Sequence, residues 1–199
     1  MDAPLQHSGN PKRADMRRMA AAIACAASLV VILGLCGPTI ESVELIVFAA
    51  ILVRVSFIDL DQRVIPDIYL VAAAVVRLAY LAYAWWRGSM GAGDIAFFAL
   101  SALGVGVALV LAVLTADYLF GSESMGGGDV KLYAVSAWYF GWEKALFVIL
   151  LSCVFGVVAA ALLAKGGRTA ENGGFMKRTL PFGPAIALAC FIVMVLEIV

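Results

Sequence analysis

Two aspartates next to apolar stretches are the residues of this sequence best suited to chemistry. Asp59 follows the apolar run that ends at Ile58, and Asp129 opens another apolar run. Carboxylates near lipid are costly unless they are paired, solvated or neutralised, so both are candidates for function. If the two face each other, ionisation of one raises the proton affinity of the other, and the pair titrates as a unit. One carboxylate can then deprotonate a water molecule while the other protonates a scissile carbonyl and later the leaving amine.

The segment around Asp59 has the features of a turn between two helices. It reads DLDQRVIPD and ends at Asp67. Pro66 lacks an amide hydrogen and disfavours helix at the residue before it, so the chain turns there. Pro66 also suits the first turn of the next helix, where the helix dipole favours Asp67. Polar helix caps would explain the pattern as well, and Asp61 is a rival to Asp59.

A glycine-rich segment leads into Asp129. Gly126 and Gly128 belong to a run of three glycines that allows positive backbone dihedrals and close backbone approach. An N-cap after a flexible loop is the alternative explanation. A phosphate-binding loop is disfavoured because the GxxxxGK[ST] pattern and a preceding strand are both missing. A serine–lysine pair is also disfavoured, because Lys131 and Ser136 are poorly spaced for one helix face.

A third segment combines two prolines with a glycine. Pro181, Gly183 and Pro184 lie in the sequence LPFGPA and break helix at a membrane boundary. A rigid turn into the last helix is the simplest interpretation of this segment.

Cysteine and histidine usage argues against a metal site. The four cysteines form no CxxC pair, and His7, the single histidine, lies in a polar N-terminal tail. We therefore expect no metal site and no Ser-His triad. The formal net charge is zero and gives no indication of a nucleic-acid partner.

Long apolar blocks must position these residues, and lipid is their expected environment. The chain has 199 residues, of which 64% are hydrophobic and 14% are charged. A soluble domain of this length could not bury so much apolar surface. We predict an all-α, polytopic transmembrane helix bundle with six to seven spanning helices. The fifth is short, and we expect it to be tilted, partly re-entrant or shielded by its neighbours. The predicted spans are 19–37, 43–60, 68–86, 95–120, 130–142, 144–164 and 181–198, which form one membrane-embedded domain, 19–199, after a basic tail, 1–18.

Loop charge predicts the orientation of the bundle. Lysines and arginines are concentrated in the N-terminal tail and in the segment 165–178. Seven helices and a cytoplasmic N-terminus place both basic segments inside the cell, as the positive-inside rule requires. The same topology places the loops next to Asp59 and Asp129 on the cytoplasmic face.

Two further charges fall within predicted helices. We expect Arg77, in mid-helix, to meet a carboxylate or a polar cavity. Asp117 lies near the cytoplasmic end of the fourth helix. It is a candidate partner for Arg77 or Lys131 and a rival to the proposed aspartate pair.

Together the three segments resemble the type IV prepilin peptidases, bacterial members of the GxGD membrane aspartic proteases. The resemblance extends from about residue 43 to the end of the chain, and it implies that Asp59 and Asp129 are catalytic. The matching sequences are DLDQRVIPD, GGGDVKL and PFGP. Residues of these segments that would bind substrate or shape the site are Pro66, Gly126, Gly128, Lys131, Pro181, Gly183 and Pro184.

The resemblance also implies an activity and a location. Family members cut after a glycine that ends a short basic leader, on the cytoplasmic side of the bacterial inner membrane. Prepilins or pseudopilins, with an apolar N-terminal helix after the cut, would be the protein partners, and membrane lipid the surroundings. Larger members N-methylate the new terminus and carry an insert with paired CxxC motifs. This chain is similar to the short form without the insert, so S-adenosylmethionine is not an expected cofactor.

Two alternatives stay open at this point. A presenilin-type intramembrane protease also has GxGD, but it normally pairs this motif with Tyr-Asp, whereas Ile58 precedes Asp59 here. A small proton-coupled transporter could use intramembrane acids and arginines as a relay. No pair of broken helices in symmetric positions is evident in the sequence to support it.

Overall fold

The chain forms six helices in a computed structural model that describes residues 11–121, 125–165 and 181–198. The predicted all-α helix bundle is confirmed. Most of the tail 1–18 and of the basic segment 165–178 lies outside the described residues. The helices are α1 (Pro11–Cys36), α2 (Ile40–Gln62), α3 (Asp67–Trp86), α4 (Ala92–Phe120), α5 (Gly127–Lys165) and α6 (Gly183–Ile198).

Four of these helices are long and apolar enough to cross a membrane. The qualifying stretches are Met19–Cys36 in α1, all of α3 and α4, and Gly127–Leu162 in α5. Large apolar side chains on these helices face outward, as lipid contact requires. Among the described helices, α2 is long enough but carries several charges, and α6 has only 16 residues. The chain is therefore a polytopic membrane protein.

The helix α5 consists of two arms that meet at Gly141. This glycine has φ 80° and ψ 169°, a conformation that no helical residue adopts. The hydroxyl groups of Tyr133 and Ser152 are hydrogen-bonded across the break, although a straight helix would separate them by about 28 Å. The first arm (127–140) and the second arm (142–165) therefore run antiparallel. The separate predicted spans 130–142 and 144–164 correspond to these arms.

The chain reverses direction between successive helices, so every second loop lies at the same end of the bundle. At one end, the α2–α3 loop lies beside the start of α5, and the start of α6 contacts the last turn of α2. We call this the aspartate end. At the opposite end, the C-termini of α1 and α6 and the N-terminus of α2 line one polar cavity. The core between the ends is formed by α2, α3, α5 and α6 and includes Phe48, Leu132 and Ile186.

Candidate active site

Asp59 is held in the last turn of α2. Its side chain is almost fully buried, and Oδ2 accepts a hydrogen bond of 2.8 Å from the backbone amide of Gly183. The helix ends at Arg63, which has the left-handed conformation (φ 54°, ψ 35°) and donates its amide to the Asp59 carbonyl at 2.9 Å. The carboxylate is thus oriented by its own helix and by the start of α6.

Gly183 allows α6 to approach this carboxylate. A Cβ atom at this position would lie 2.8 Å from Oδ2 of Asp59 and 3.0 Å from its Cβ. Gly183 is the first residue of α6, and Pro184 follows in the first turn, where a missing amide hydrogen is tolerated. Pro181 precedes the helix. The segment therefore directs an N-terminal helix amide at an acidic group, an arrangement that the helix dipole favours.

Asp129 lies in the first turn of α5 and is half-buried. Its amide donates to the Gly126 carbonyl at 3.1 Å. Gly128 packs against the α2–α3 loop so closely that an added Cβ would lie 2.9 Å from Cβ of Ile65. Pro66 forms the N-cap of α3 and has an extended conformation, one residue earlier than the first-turn position that the sequence suggested. Close backbone approach at Gly128 therefore joins the start of α5 to this loop.

The two aspartates line one cavity at the aspartate end. This cavity has a volume of about 500 Å³. Two carboxylates from separate helices thus face the same space. The other lining residues are Arg63, Val64, Ile65, Pro66, Asp67, Gly126, Gly127, Gly128 and Lys131.

An ion pair crosses the wall of this cavity. Nζ of Lys131 donates to the Asp67 carboxylate at 2.8 and 3.0 Å and so connects α5 with α3. Both side chains are more than half exposed, so the pair contributes at most about 1 kcal/mol to stability. Sequence analysis identified both residues without pairing them, because no local signal brings positions 67 and 131 together.

The other charged residues singled out in the sequence, Asp61, Arg77 and Asp117, are not among the described residues that line this cavity. The carboxylate partner expected for Arg77 is Glu44, and Lys131 pairs with Asp67. Glu44 was missed, although a glutamate inside an apolar helix was a usable signal.

The acidic and sulfur side chains give no sign of a metal site in the parts of the chain that the structure describes. Within 11–121, 125–165 and 181–198, no three His, Cys, Asp or Glu residues are grouped to hold an ion. His7 lies outside these ranges.

A helical membrane bundle with a carboxylate-lined cavity at one end suits a membrane-embedded hydrolase or a proton-coupled transporter. The sequence model of the Type IV leader peptidase family matches residues 46–161, more than half of the chain. The chain therefore belongs to this family and is a peptidase, as the resemblance implied. The match includes both aspartates and ends before Pro181. No curated protein and no solved structure matches the chain.

Proposed function

We propose that this peptidase removes the leaders of prepilin-like proteins at the cytoplasmic face of the bacterial inner membrane, with Asp59 and Asp129 as its catalytic pair. The observation that carries the proposal is the single cavity lined by both carboxylates, which come from α2 and α5. Family membership supports a leader peptidase over the transporter alternative. The positive-inside rule supports the cytoplasmic orientation.

The proposed reaction needs one ionised and one protonated carboxyl group. The ionised group takes a proton from water as the water oxygen attacks the scissile carbonyl carbon, and the protonated group donates to the carbonyl oxygen. The tetrahedral intermediate then collapses, the C–N bond breaks, and the leaving nitrogen receives a proton from the dyad. Water supplies all the atoms added to the products, so the scheme requires only these two acids and water.

The cavity also has an exposed carboxylate that a basic leader would contact. Asp67 adds a third carboxylate to those of Asp59 and Asp129, and its side chain is exposed. Arg63 and Lys131 keep the cavity from being uniformly acidic. With one carboxyl group of the pair protonated, these charges offset each other, so a lysine or arginine of the leader would bind by displacing Lys131 from the exposed Asp67 carboxylate. The apolar helix after the cut would stay in lipid.

Substitution of the two aspartates tests the proposal. In cells that co-express a prepilin-like substrate, Asp59→Asn and Asp129→Asn should each lower processing by at least about 100-fold, because each removes one proton-transfer group. Immunoblotting measures processing, and sequencing of the product N-terminus locates the cut. A cut before the apolar helix is expected, whereas a cut within it would favour the presenilin-type alternative.

Asp61→Asn is the matched control for these variants. Asp61 is exposed and lies one half-turn from Asp59 in the same helix. Processing should be retained at the wild-type level in this variant. Unchanged processing in both Asp59→Asn and Asp129→Asn, with the proteins present in the membrane, would refute the proposed pair.

A further inference from the structure

Arg77 joins three helix segments deep in the bundle. It belongs to α3 and is 7% exposed, and its Nη1 donates to both carboxylate oxygens of Glu44 in α2, at 3.1 and 3.3 Å. Its Nε donates to the Trp138 carbonyl at 3.3 Å, and its Nη2 donates to the Tyr139 carbonyl at 2.9 Å. Both carbonyls lie at the end of the first arm of α5. We call Glu44, Arg77, Trp138 and Tyr139 the arginine junction.

The carbonyls of the first arm need these donors because the helix breaks at Gly141. In a continuous helix, the carbonyls of Trp138 and Tyr139 would accept from the amides four residues later. The reversal at Gly141 removes those amides from line with the arm. Tyr139 is buried, so its carbonyl would be strongly unfavourable without a donor. Arg77 therefore caps the first arm from a neighbouring helix.

Other contacts tie the same segments together. The Tyr139 hydroxyl donates to the Ala73 carbonyl at 2.8 Å, and the indole of Trp138 donates to the Ala74 carbonyl at 3.3 Å. The ring of Tyr139 stacks on Phe48 of α2, with a centroid distance of 3.7 Å. The first arm is thereby fixed to both α2 and α3 at the arginine junction.

We propose that Arg77 and Glu44 are positioning residues for the two-aspartate site. Helix α2 carries Glu44 and Asp59, and the first arm of α5 carries Tyr139 and Asp129. Clamping one end of each segment fixes how the two segments are rotated and shifted along each other, and hence how the carboxylates face each other. Tyr139 lies about 15 Å along the arm from Asp129, so the effect is transmitted through the helix.

The guanidinium group is required for this role, and charge alone is insufficient. Three different nitrogens of Arg77 donate in three directions, whereas lysine has a single nitrogen. The ring centroids of Tyr80 and Phe98 lie 5.4 and 4.6 Å from the guanidinium carbon of Arg77, within the range of cation–π attraction. The adjoining polar cavity also contains Glu41 and Glu197.

The inference rests on the proposed function and is tested with Arg77→Lys. The full chain in lipid nanodiscs is assayed with a synthetic peptide that has a short basic leader ending in glycine, followed by an apolar helix. We expect kcat to fall by about 10- to 100-fold with little change in KM, because small displacements of reacting groups are costly. The spacing between the two limbs of the pH–kcat profile should also change, since it reports the coupling of the carboxylates.

A purely structural role predicts a different result. Loss of folded protein would scale the pH–kcat profile equally at every pH and leave its shape unchanged. Arg87→Lys is the matched control: it makes the same exchange at an exposed arginine after the end of α3 and should leave the profile as in the wild type. If Arg77→Lys does not fold, Glu44→Gln carries the same test, since it keeps the side-chain shape and one acceptor.

The outcomes separate the inference from the proposed function. Wild-type kcat and profile shape in folded Arg77→Lys, or in folded Glu44→Gln where the lysine variant is not folded, would overturn the inference alone. A wild-type chain that does not cleave the peptide, or an Asp59→Asn chain that does, would overturn the proposed function and the inference with it.

Discussion

A missing side chain at Gly183 determines how the Asp59 carboxylate is held. The amide of Gly183 reaches Oδ2 at 2.8 Å only because no Cβ occupies the space between them. The sequence indicated a rigid entry into the last helix, and α6 does begin within this segment, at Gly183. That the turn contacts Asp59, more than a hundred residues away, follows from tertiary packing and not from local sequence.

Gly183→Ala is therefore expected to impair the site directly. The new Cβ would lie 2.8 Å from Oδ2, so the carboxylate must rotate away or α6 must shift, and the hydrogen bond weakens. We expect kcat to fall by about 10- to 100-fold and the free energy of unfolding to fall by about 1–3 kcal/mol. Peptide cleavage and thermal unfolding in nanodiscs measure the two effects.

Gly93→Ala is the control for this substitution. Gly93 lies in the first turn of α4, and no atom lies within 4 Å of its added Cβ. This variant should cleave and unfold like the wild type. Full activity of Gly183→Ala would show that the close contact with Asp59 does not constrain catalysis.

At the scale of the helices, long blocks of apolar residues predicted most of the architecture. Predicted spans such as 43–60 and 68–86 overlap α2 and α3 closely, because apolar blocks of about 20 residues leave few alternatives in lipid. The break within α5 was placed between 142 and 144, close to Gly141. Rotation of each helix about its axis was not predictable, and it is this rotation that pairs Arg77 with Glu44.

The start of α5 packs against the α2–α3 loop at Gly128, and a larger residue there should disturb this contact. Gly128→Ala would place a Cβ 2.9 Å from Cβ of Ile65 and push the start of α5 off the loop. We expect a loss of about 1–3 kcal/mol in the free energy of unfolding and slower peptide cleavage, because Asp129 moves with the helix. Unfolding in nanodiscs and kcat are the measurements.

The double variant Ile65→Gly with Gly128→Ala distinguishes steric contact from other causes. Glycine at position 65 removes the Cβ that an alanine at position 128 would meet at 2.9 Å, so the second substitution should cost less in the double variant than in the wild-type background. Strictly additive effects would mean that the two positions do not interact, and would remove the proposed contact as the reason for the glycine.

At the scale of the whole molecule, the residue pattern and the family resemblance together predicted which two acidic residues would share a cavity. Asp59 and Asp129 were selected because acids are expensive near lipid and because their motifs resemble those of a peptidase family. The structure brings both to one cavity. The pair of Asp67 with Lys131 and the arginine junction depend on contacts between positions far apart in the chain, and one sequence contains no signal for such contacts.

Orientation in the membrane is a property of the whole bundle, and it decides whether the cavity can meet leaders in the cytoplasm. Val64 is exposed at the aspartate end, and Arg87 is exposed in the α3–α4 loop at the other end. Helix α1 ends in the cavity at the other end, so its basic first residues lie toward the aspartate end, and the positive-inside rule predicts that the aspartate end is cytoplasmic. In intact cells with a permeable outer membrane, an impermeant maleimide should label Arg87→Cys, whereas Val64→Cys should react only after the inner membrane is opened. The wild-type chain, whose described cysteines lie within helices, measures background labelling. The reverse pattern would place the aspartates outside the cell, where a leader that is still in the cytoplasm could not reach them.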